Sequence, residues 1–151
     1  MRITFLDQYS FLGGGQIILI SLIKSLDKAS KIHIIFPKGG NLEKKIINIQ
    51  DKDIKCHNIN ENDFKYDRRN YFTILNIFKN NIFSFIRYFD IIRSTDLIYC
   101  NGPRLFIFAI LASTLLKKKC NYYIHSKYTF FESILVFFIS RLKYTNKIIF
   151  C

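Results

Sequence analysis

Three consecutive glycines, Gly13, Gly14 and Gly15, precede an apolar segment with helical spacing that begins at Gln16. Backbone without side chains lets a ligand approach closely, and free N–H groups at the start of a helix attract anions. The segment is a candidate phosphate or sugar loop, and a flexible turn without a ligand fits the same residues. It is neither G-x-G-x-x-G nor a P-loop, which disfavours nicotinamide cofactors and P-loop nucleotide hydrolysis.

Two further groups of polar residues follow apolar segments. His125 comes directly after NYYI, where an imidazole can donate to a ligand hydroxyl or stabilise departing phosphate charge. Asn101 and Gly102 lead into Pro103 and Arg104, which places an amide and a guanidinium at the start of a helix. Arg104 could pair with phosphate or carboxylate. A backbone-bonded histidine and a solvated arginine are the structural alternatives.

The remaining histidines, lysine run and cysteines favour structural roles. His33 and His57 fall within or at the end of apolar segments, and residues 117–119 follow a helix, where cations offset its dipole. The four cysteines have no C-x-x-C spacing and no zinc-type pairing with histidine. They predict reduced, mostly buried thiols in a cytosolic protein, and no metal site. The cysteines are Cys56, Cys100, Cys120 and Cys151.

Short apolar segments alternate with longer helical ones along the chain. The pattern predicts strands at 3–6, 31–36, 53–57, 96–100, 121–125 and 147–150, and helices at 16–26, 42–49, 71–92, 104–116 and 128–142. The long helix is interrupted by polar residues and is expected to break near Asn80 and Asn81. Strands alternating with helices indicate an α/β protein, with a Rossmann-like, doubly wound parallel sheet of about six strands and helices on both faces. Ligand sites of such sheets lie at the carboxyl ends of the strands, so the first and fourth loops should flank a crevice.

Composition limits the class of protein. The chain has 151 residues, half of them hydrophobic, which suits one globular domain with a full core. Its formal net charge of +12 favours an anionic partner such as phosphate, a nucleotide or a membrane headgroup. The first residues do not form a signal-peptide core, and no uninterrupted apolar run is long enough for a spanning helix. No nucleic-acid-binding signature accompanies the basic residues.

The aromatic segment at 71–92 allows two interpretations. Its bands of phenylalanine, tyrosine and isoleucine are flanked by Arg68, Arg69, Arg87 and Arg93. It could be a core helix packed on the sheet, or a helix lying in a membrane interface.

Several of these segments, taken together, resemble a known family. The glycine loop that opens a helix, then FPKGGNLEKKI, DLIYCNGPR, YYIHS and NKIIFC, resemble in order and spacing the N-terminal domain of family 4 glycosyltransferases. The resemblance covers essentially all 151 residues. It implies one half of a GT-B fold, in which two Rossmann-like domains face each other across a cleft. Members transfer a sugar from a nucleotide-sugar donor to an acceptor, with retention of configuration and without a metal or other cofactor.

The resemblance also implies roles for particular residues. The loop at 13–15 would lie against the donor's phosphate or its transferred sugar. His125 would match the histidine that contacts the sugar near its reacting centre, and Asn101, Gly102 and Arg104 would lie towards the acceptor. Gln16 stands where members often carry glutamate, which puts any role of a carboxylate there in doubt.

The C-terminal, donor-binding half of the GT-B fold has no counterpart in residues 1–151. The resemblance therefore predicts an acceptor-side domain without substantial activity alone, which works with a donor-binding domain in cis or in trans. We expect a cytoplasmic location, at the inner face of the membrane if it binds lipid, and a glycan or lipid-linked acceptor of polysaccharide biosynthesis. The alternatives are a non-catalytic membrane-associated subunit that docks a separate donor-binding domain, and an unrelated Rossmann-like protein with a small-ligand or regulatory function.

Overall fold

A computed structural model describes residues 1–60, 71–124 and 130–150. Six strands form one sheet with the order β3-β2-β1-β4-β5-β6, and every pair of neighbours is parallel. This confirms the predicted fold class. The strands are β1 (Arg2–Asp7), β2 (Lys31–Pro37), β3 (Asp53–Ile59), β4 (Leu97–Asn101), β5 (Lys119–Ile124) and β6 (Thr145–Phe150).

Helices connect the strands and cover both faces of the sheet. They are α1 (Gly14–Ser25), α2 (Leu42–Ile47), α3 (Tyr71–Arg87), α4 (Phe89–Ser94), α5 (Phe106–Leu115) and α6 (Phe130–Ser140). Two hydrophobic clusters show which helices share a face: α1 and α2 pack on one face, and α3 to α6 pack on the other. None of the helices in the described part of the chain is long and apolar enough to cross a membrane.

The order of the strands places β1 at the centre, between β2 and β4. The chain moves outward from β1 through β2 to β3, and then returns to β4 on the other side of β1. This reversal is the switch point at which the loops after β1 and β4 diverge and leave a crevice. Asp7 and Asn101, the last residues of these two strands, lie opposite each other in the register. The prediction that the first and fourth loops are neighbours is confirmed.

The predicted break near Asn80 and Asn81 is wrong, because α3 continues to Arg87 and the chain turns only at Tyr88. Asn81 is fully buried, and its side-chain amide makes hydrogen bonds to backbone groups of α3 itself and of the segment at 104–108. Its Nδ2 donates to the carbonyl oxygens of Ile77 and Arg104, at 2.7 and 2.8 Å. Its Oδ1 accepts from the backbone N–H at the third position of α5, at 3.0 Å. The asparagine therefore caps the neighbouring helix instead of ending its own.

The segment that follows β4 also differs from the prediction. A 3₁₀ turn, Pro103–Leu105, precedes α5, so the regular helix begins two residues later than expected. The predicted fifth strand ends at Ile124, and His125 lies outside the described residues.

We predict that Asn81→Ala lowers the free energy of unfolding by about 2–3 kcal/mol, because it leaves buried backbone groups of the 104–108 segment without partners. Urea unfolding measures the loss. Asn76→Ala, an exposed position on the same helix, is the control and should change stability by less than about 0.5 kcal/mol. Equal losses in the two variants would contradict the capping role.

Candidate functional site

A buried carboxylate joins the ends of β1 and β4 to the start of α1. Asp7 is fully buried, and its Oδ1 accepts from the backbone N–H of Tyr9 at 2.8 Å and from Gln16 Nε2 at 2.9 Å. Its Oδ2 accepts from Asn101 Nδ2 at 2.5 Å. Asn101 Nδ2 also lies 3.5 Å from the carbonyl oxygen of Gly15. One side chain therefore fixes the relative positions of two strand ends and a helix.

The environment of Asp7 changes its acidity. Burial raises the pKa of the Asp7 carboxyl to about 6 from its ordinary value of 3.8, while hydrogen bonds from Asn101, Tyr9 and Gln16 act to lower it. Desolvation therefore exceeds the stabilisation that the donors give to the charged form. At neutral pH the group is mostly ionised, so a negative charge lies beneath the first turn of α1. That position is favourable for an anion because the N-terminal end of a helix is positive.

The glycine loop keeps the space above this carboxylate open. Gly13 is the N-cap of α1 with an extended backbone, and Gly14 and Gly15 form the first turn. A Cβ atom added at Gly14 would meet nothing within 4 Å. At Gly14 the missing side chain therefore leaves room rather than permits an unusual backbone conformation, whereas a Cβ atom at Gly13 would lie 3.1 Å from Gln16 Oε1. The resulting cavity has a volume of about 360 Å³ and is lined by Gln8, Tyr9, Phe11, Leu12, Gly13, Gly14, Gly15, Gln16 and Asn101.

The loop after β4 closes against the loop after β1. Gly102 has φ +115°, and a Cβ atom there would lie 2.3 Å from Gln8 Cδ. The backbone conformation therefore requires glycine at this position, and a side chain here would also displace the Gln8 side chain. Gln8 Oε1 accepts from the backbone N–H of Arg104 at 3.1 Å. The Arg104 guanidinium lies over the ring of Tyr9, 5.3 Å from its centroid.

A second cavity lies next to the first, and Phe11 lines both. Its volume is about 570 Å³, and its walls come from the loop between β2 and α2, from α2 itself and from Phe11. The backbone N–H of Leu42 donates to the carbonyl oxygen of Ser10 at 2.9 Å, which fastens this loop to the loop after β1. Among the residues that line it are Lys38, Gly40, Glu43 and Lys44.

The structure brings most of the sequence-predicted site residues together. Gly13 to Gln16 and Asn101 line one cavity, and Gly102 and Arg104 follow in the adjoining loop. The side chains of Gln16 and Asn101 are buried and turned towards Asp7. His125 lies outside the described residues, so its predicted role stays a prediction. Within the described ranges, no group of three or more histidine, cysteine, aspartate or glutamate residues could hold a metal ion.

Asp7 was not predicted as a site residue, although one signal could have found it. It is the first polar residue after an apolar strand that adjoins the switch point, where side chains from two strand ends must meet. The pairing of His33 with His57 was also missed. His33 Nδ1 lies 2.9 Å from His57 Nε2, on neighbouring strands away from the cavity. Burial is the main cause that lowers the pKa of both imidazoles.

The raised pKa of Asp7 makes a testable contribution to stability. The folded protein holds this proton more tightly than the unfolded chain does, so the contribution of Asp7 falls as pH rises from about 4 to about 6. The change should reach about 3 kcal/mol, the equivalent of the pKa shift. Asp7→Asn removes the titration, so the stability of the variant relative to the parent should increase with pH across this interval. Urea unfolding at several pH values measures it, and a difference independent of pH would contradict the assignment.

A second prediction concerns the contact between the loop after β1 and the loop between β2 and α2. A Cβ atom at Gly40 would lie 1.9 Å from the carbonyl oxygen of Ser10, so Gly40→Ala must displace backbone. We expect a loss of about 1–3 kcal/mol in the free energy of unfolding. Gly14→Ala is the matched control, because its methyl group enters open space in a helix, and it should cause no loss. Thermal or urea unfolding of both variants tests this, and a stable Gly40→Ala protein would argue against the close contact.

The comparisons with known proteins give structural matches alone. No protein-family model matches the sequence, and no curated protein matches it. Among solved structures, Anabaena Alr3699/HepE in complex with UDP-glucose aligns with a TM-score of 0.62 at 18% identity, over 94% of this chain and 35% of that chain. The same protein in complex with UDP and glucose aligns with a TM-score of 0.61 at 17% identity, over 94% of this chain and 36% of that chain.

A second protein gives a further match. A ugt transferase from Siraitia grosvenorii in complex with UDP aligns with a TM-score of 0.54 at 8% identity, over 83% of this chain and 28% of that chain. The present chain thus spans about a third of the length of the solved structures that it matches. All three matches are below 25% identity and show the fold alone, an α/β domain with a parallel sheet that corresponds to a Rossmann-like half of the GT-B fold.

Proposed function

We propose that this chain is the N-terminal, acceptor-side half of a family 4 glycosyltransferase, which transfers a sugar from a nucleotide-sugar donor to a glycan or lipid-linked acceptor. The observation that carries the proposal is the cavity at the switch point, between the glycine loop and Asn101. It lies in a fold shared with a protein whose structure contains UDP-glucose. Ligands of open parallel sheets bind at this position, which supports a substrate site here.

The charge of Asp7 bears on which part of the donor would enter this cavity. A mostly ionised carboxylate lies beneath the first turn of α1, and it occupies the Gln16 and Asn101 amide donors. A phosphate placed directly above it would meet a negative charge and lose two donors. A sugar hydroxyl can instead accept from backbone N–H groups of the loop and donate to a carbonyl oxygen. We therefore assign the transferred sugar to this cavity and the phosphates to its outer edge.

The acceptor would approach from the loop after β4. Gly102 holds this loop close to Gln8, and the contact of Arg104 with Tyr9 places a cation at the cavity rim. A guanidinium there could pair with an anionic group of the acceptor. The second cavity offers adjoining space on the other side of Phe11.

The chemistry we propose is electrostatic and positional. His125, which follows β5 in the sequence, would contact the sugar near its reacting centre and stabilise the negative charge that develops on the leaving phosphate. Most nucleotide contacts would come from a donor-binding domain in cis or in trans. For that reason we expect no substantial turnover from residues 1–151 alone. Retention of configuration and independence of metal belong to the same proposal.

A second candidate function is a non-catalytic, membrane-associated subunit that docks a separate donor-binding domain. The exposed apolar side chains of α3, among them Leu75 and Phe83, favour it. A subunit of this kind does not need a sugar in the cavity at the switch point. Binding of a nucleotide sugar at this cavity therefore distinguishes the two candidates.

We predict that UDP-glucose shifts the backbone amide resonances of Gly14, Gly15 and Gly102 in an NMR titration carried to about 10 mM, a range that detects weak binding. Gly14→Leu should abolish the shifts of Gly15 and Gly102, because its side chain fills the cavity, and should leave the fold intact since nothing lies near that position. Ser21→Leu adds an apolar side chain on the exposed side of the same helix and should bind as the parent does. Equal binding by both variants, or no shifts at the cavity, would overturn the proposed site.

A further inference from the structure

The side-chain oxygen of Gln16 belongs to the wall of the cavity at the switch point. Gln16 lines this cavity, although only 5% of the residue is exposed. Its Nε2 donates to both oxygens of Asp7, at 2.9 and 3.2 Å. Within the part of the chain that the structure describes, no donor bonds to its Oε1. An acceptor that is nearly buried and has no protein partner destabilises the site unless a ligand or a solvent molecule supplies a donor.

Asp7 determines the direction in which this amide points. An ionised carboxylate accepts hydrogen bonds and cannot donate them. The amide nitrogen of Gln16 must therefore face Asp7, and the amide oxygen must face away from it. A Cβ atom added at Gly13 would lie 3.1 Å from Gln16 Oε1, which places this oxygen beside the glycine loop. Asp7 thus holds Gln16 so that the wall of the cavity presents a hydrogen-bond acceptor to a ligand.

The same wall disfavours a negative charge in the ligand. Asp7 is mostly ionised at neutral pH, because burial raises its pKa only to about 6. Its charge offsets the positive end of α1, which would otherwise attract an anion. The Arg104 guanidinium lies at the rim of the cavity, over the ring of Tyr9. A hydroxyl group can donate to Gln16 Oε1, whereas a carboxylate cannot donate and is repelled by the charge of Asp7.

We propose that Gln16 Oε1 and the Asp7 carboxylate together select a neutral, hydroxyl-bearing sugar and exclude an acidic one. Gln16 is the specificity-determining residue, because its oxygen accepts a hydrogen bond from a sugar hydroxyl. Asp7 is a positioning residue that holds the amide in this orientation and adds the negative charge. The donor is therefore a nucleotide-activated neutral hexose and not a nucleotide-activated uronic acid. The inference rests on the proposed placement of the transferred sugar in this cavity and names the class of that sugar.

Two nucleotide sugars that differ in one group test the selection. UDP-glucose and UDP-glucuronate share the nucleotide and the ring, but the first carries a hydroxymethyl group where the second carries a carboxylate. In NMR titrations at neutral pH, followed at the amides of Gly15 and Gly102, the protein should bind UDP-glucose at least about fivefold more tightly. A titration with UDP alone measures the contribution of the nucleotide, which is common to both ligands.

Substitutions then separate the roles of the two side chains. Gln16→Met removes the oxygen and keeps the length of the side chain, so it should weaken binding of UDP-glucose by about three- to tenfold. Gln50→Met makes the same substitution at an exposed position outside the cavity, and it should bind as the parent does. Asp7→Asn removes the charge at nearly constant size and should bring the affinities for the two sugars within about twofold of each other. The amide spectrum of each variant checks that the fold is kept.

The outcomes distinguish this inference from the proposed function. Shifts at the glycine loop with equal affinity for the two sugars, or without a loss in Gln16→Met, would overturn the selection and leave the sugar site in place. Tighter binding of UDP-glucuronate would mean that Arg104 and the end of α1 outweigh Asp7, and it would also overturn the selection. A preference that persists unchanged in Asp7→Asn would exclude the charge of Asp7 as its cause. The absence of shifts with every ligand would overturn the site itself, and the selection with it.

Discussion

The architecture of the candidate site depends on one buried charge. Asp7 accepts hydrogen bonds from Gln16 at the start of α1 and from Asn101 at the end of β4. The two loops that diverge at the switch point are therefore tied together at their base, while the glycines above them leave the cavity open. This arrangement holds a carboxylate away from water, which destabilises its charged form and raises its pKa. Stability given up at a site of this kind is typical of positions kept for function.

The same network explains why an amide at position 16 fits this protein. Gln16 Nε2 donates to both oxygens of Asp7, at 2.9 and 3.2 Å. A glutamate there would bring a second carboxylate to the same place, and two carboxylates in contact cannot both stay ionised. The chain therefore has glutamine where the family that it resembles often has glutamate, and the amide suits the Asp7 carboxylate that it contacts. It makes Gln16 a positioning residue for Asp7 and the glycine loop.

The fold could be predicted from the sequence because short apolar segments alternate with helical segments along the described chain, with α3 and α4 together filling one helical segment. The neighbouring positions of the first and fourth loops then followed from the rule for parallel sheets. The details that failed depend on contacts between distant residues. Asn81 has the local character of a helix breaker, and only its contact with the 104–108 segment explains why α3 continues through it. The same holds for Asp7, whose role rests on partners 9 and 94 residues away.

The central claim is that the cavity at the switch point receives the sugar of a nucleotide-sugar donor. Saturation-transfer difference NMR with UDP-glucose tests it most directly, because it reports which protons of the ligand contact the protein. The buried charge of Asp7 and the small open loop at 13–15 predict the strongest transfer to the glucose protons. Transfer confined to the uridine protons, or the same pattern in Gly14→Leu, would contradict the account.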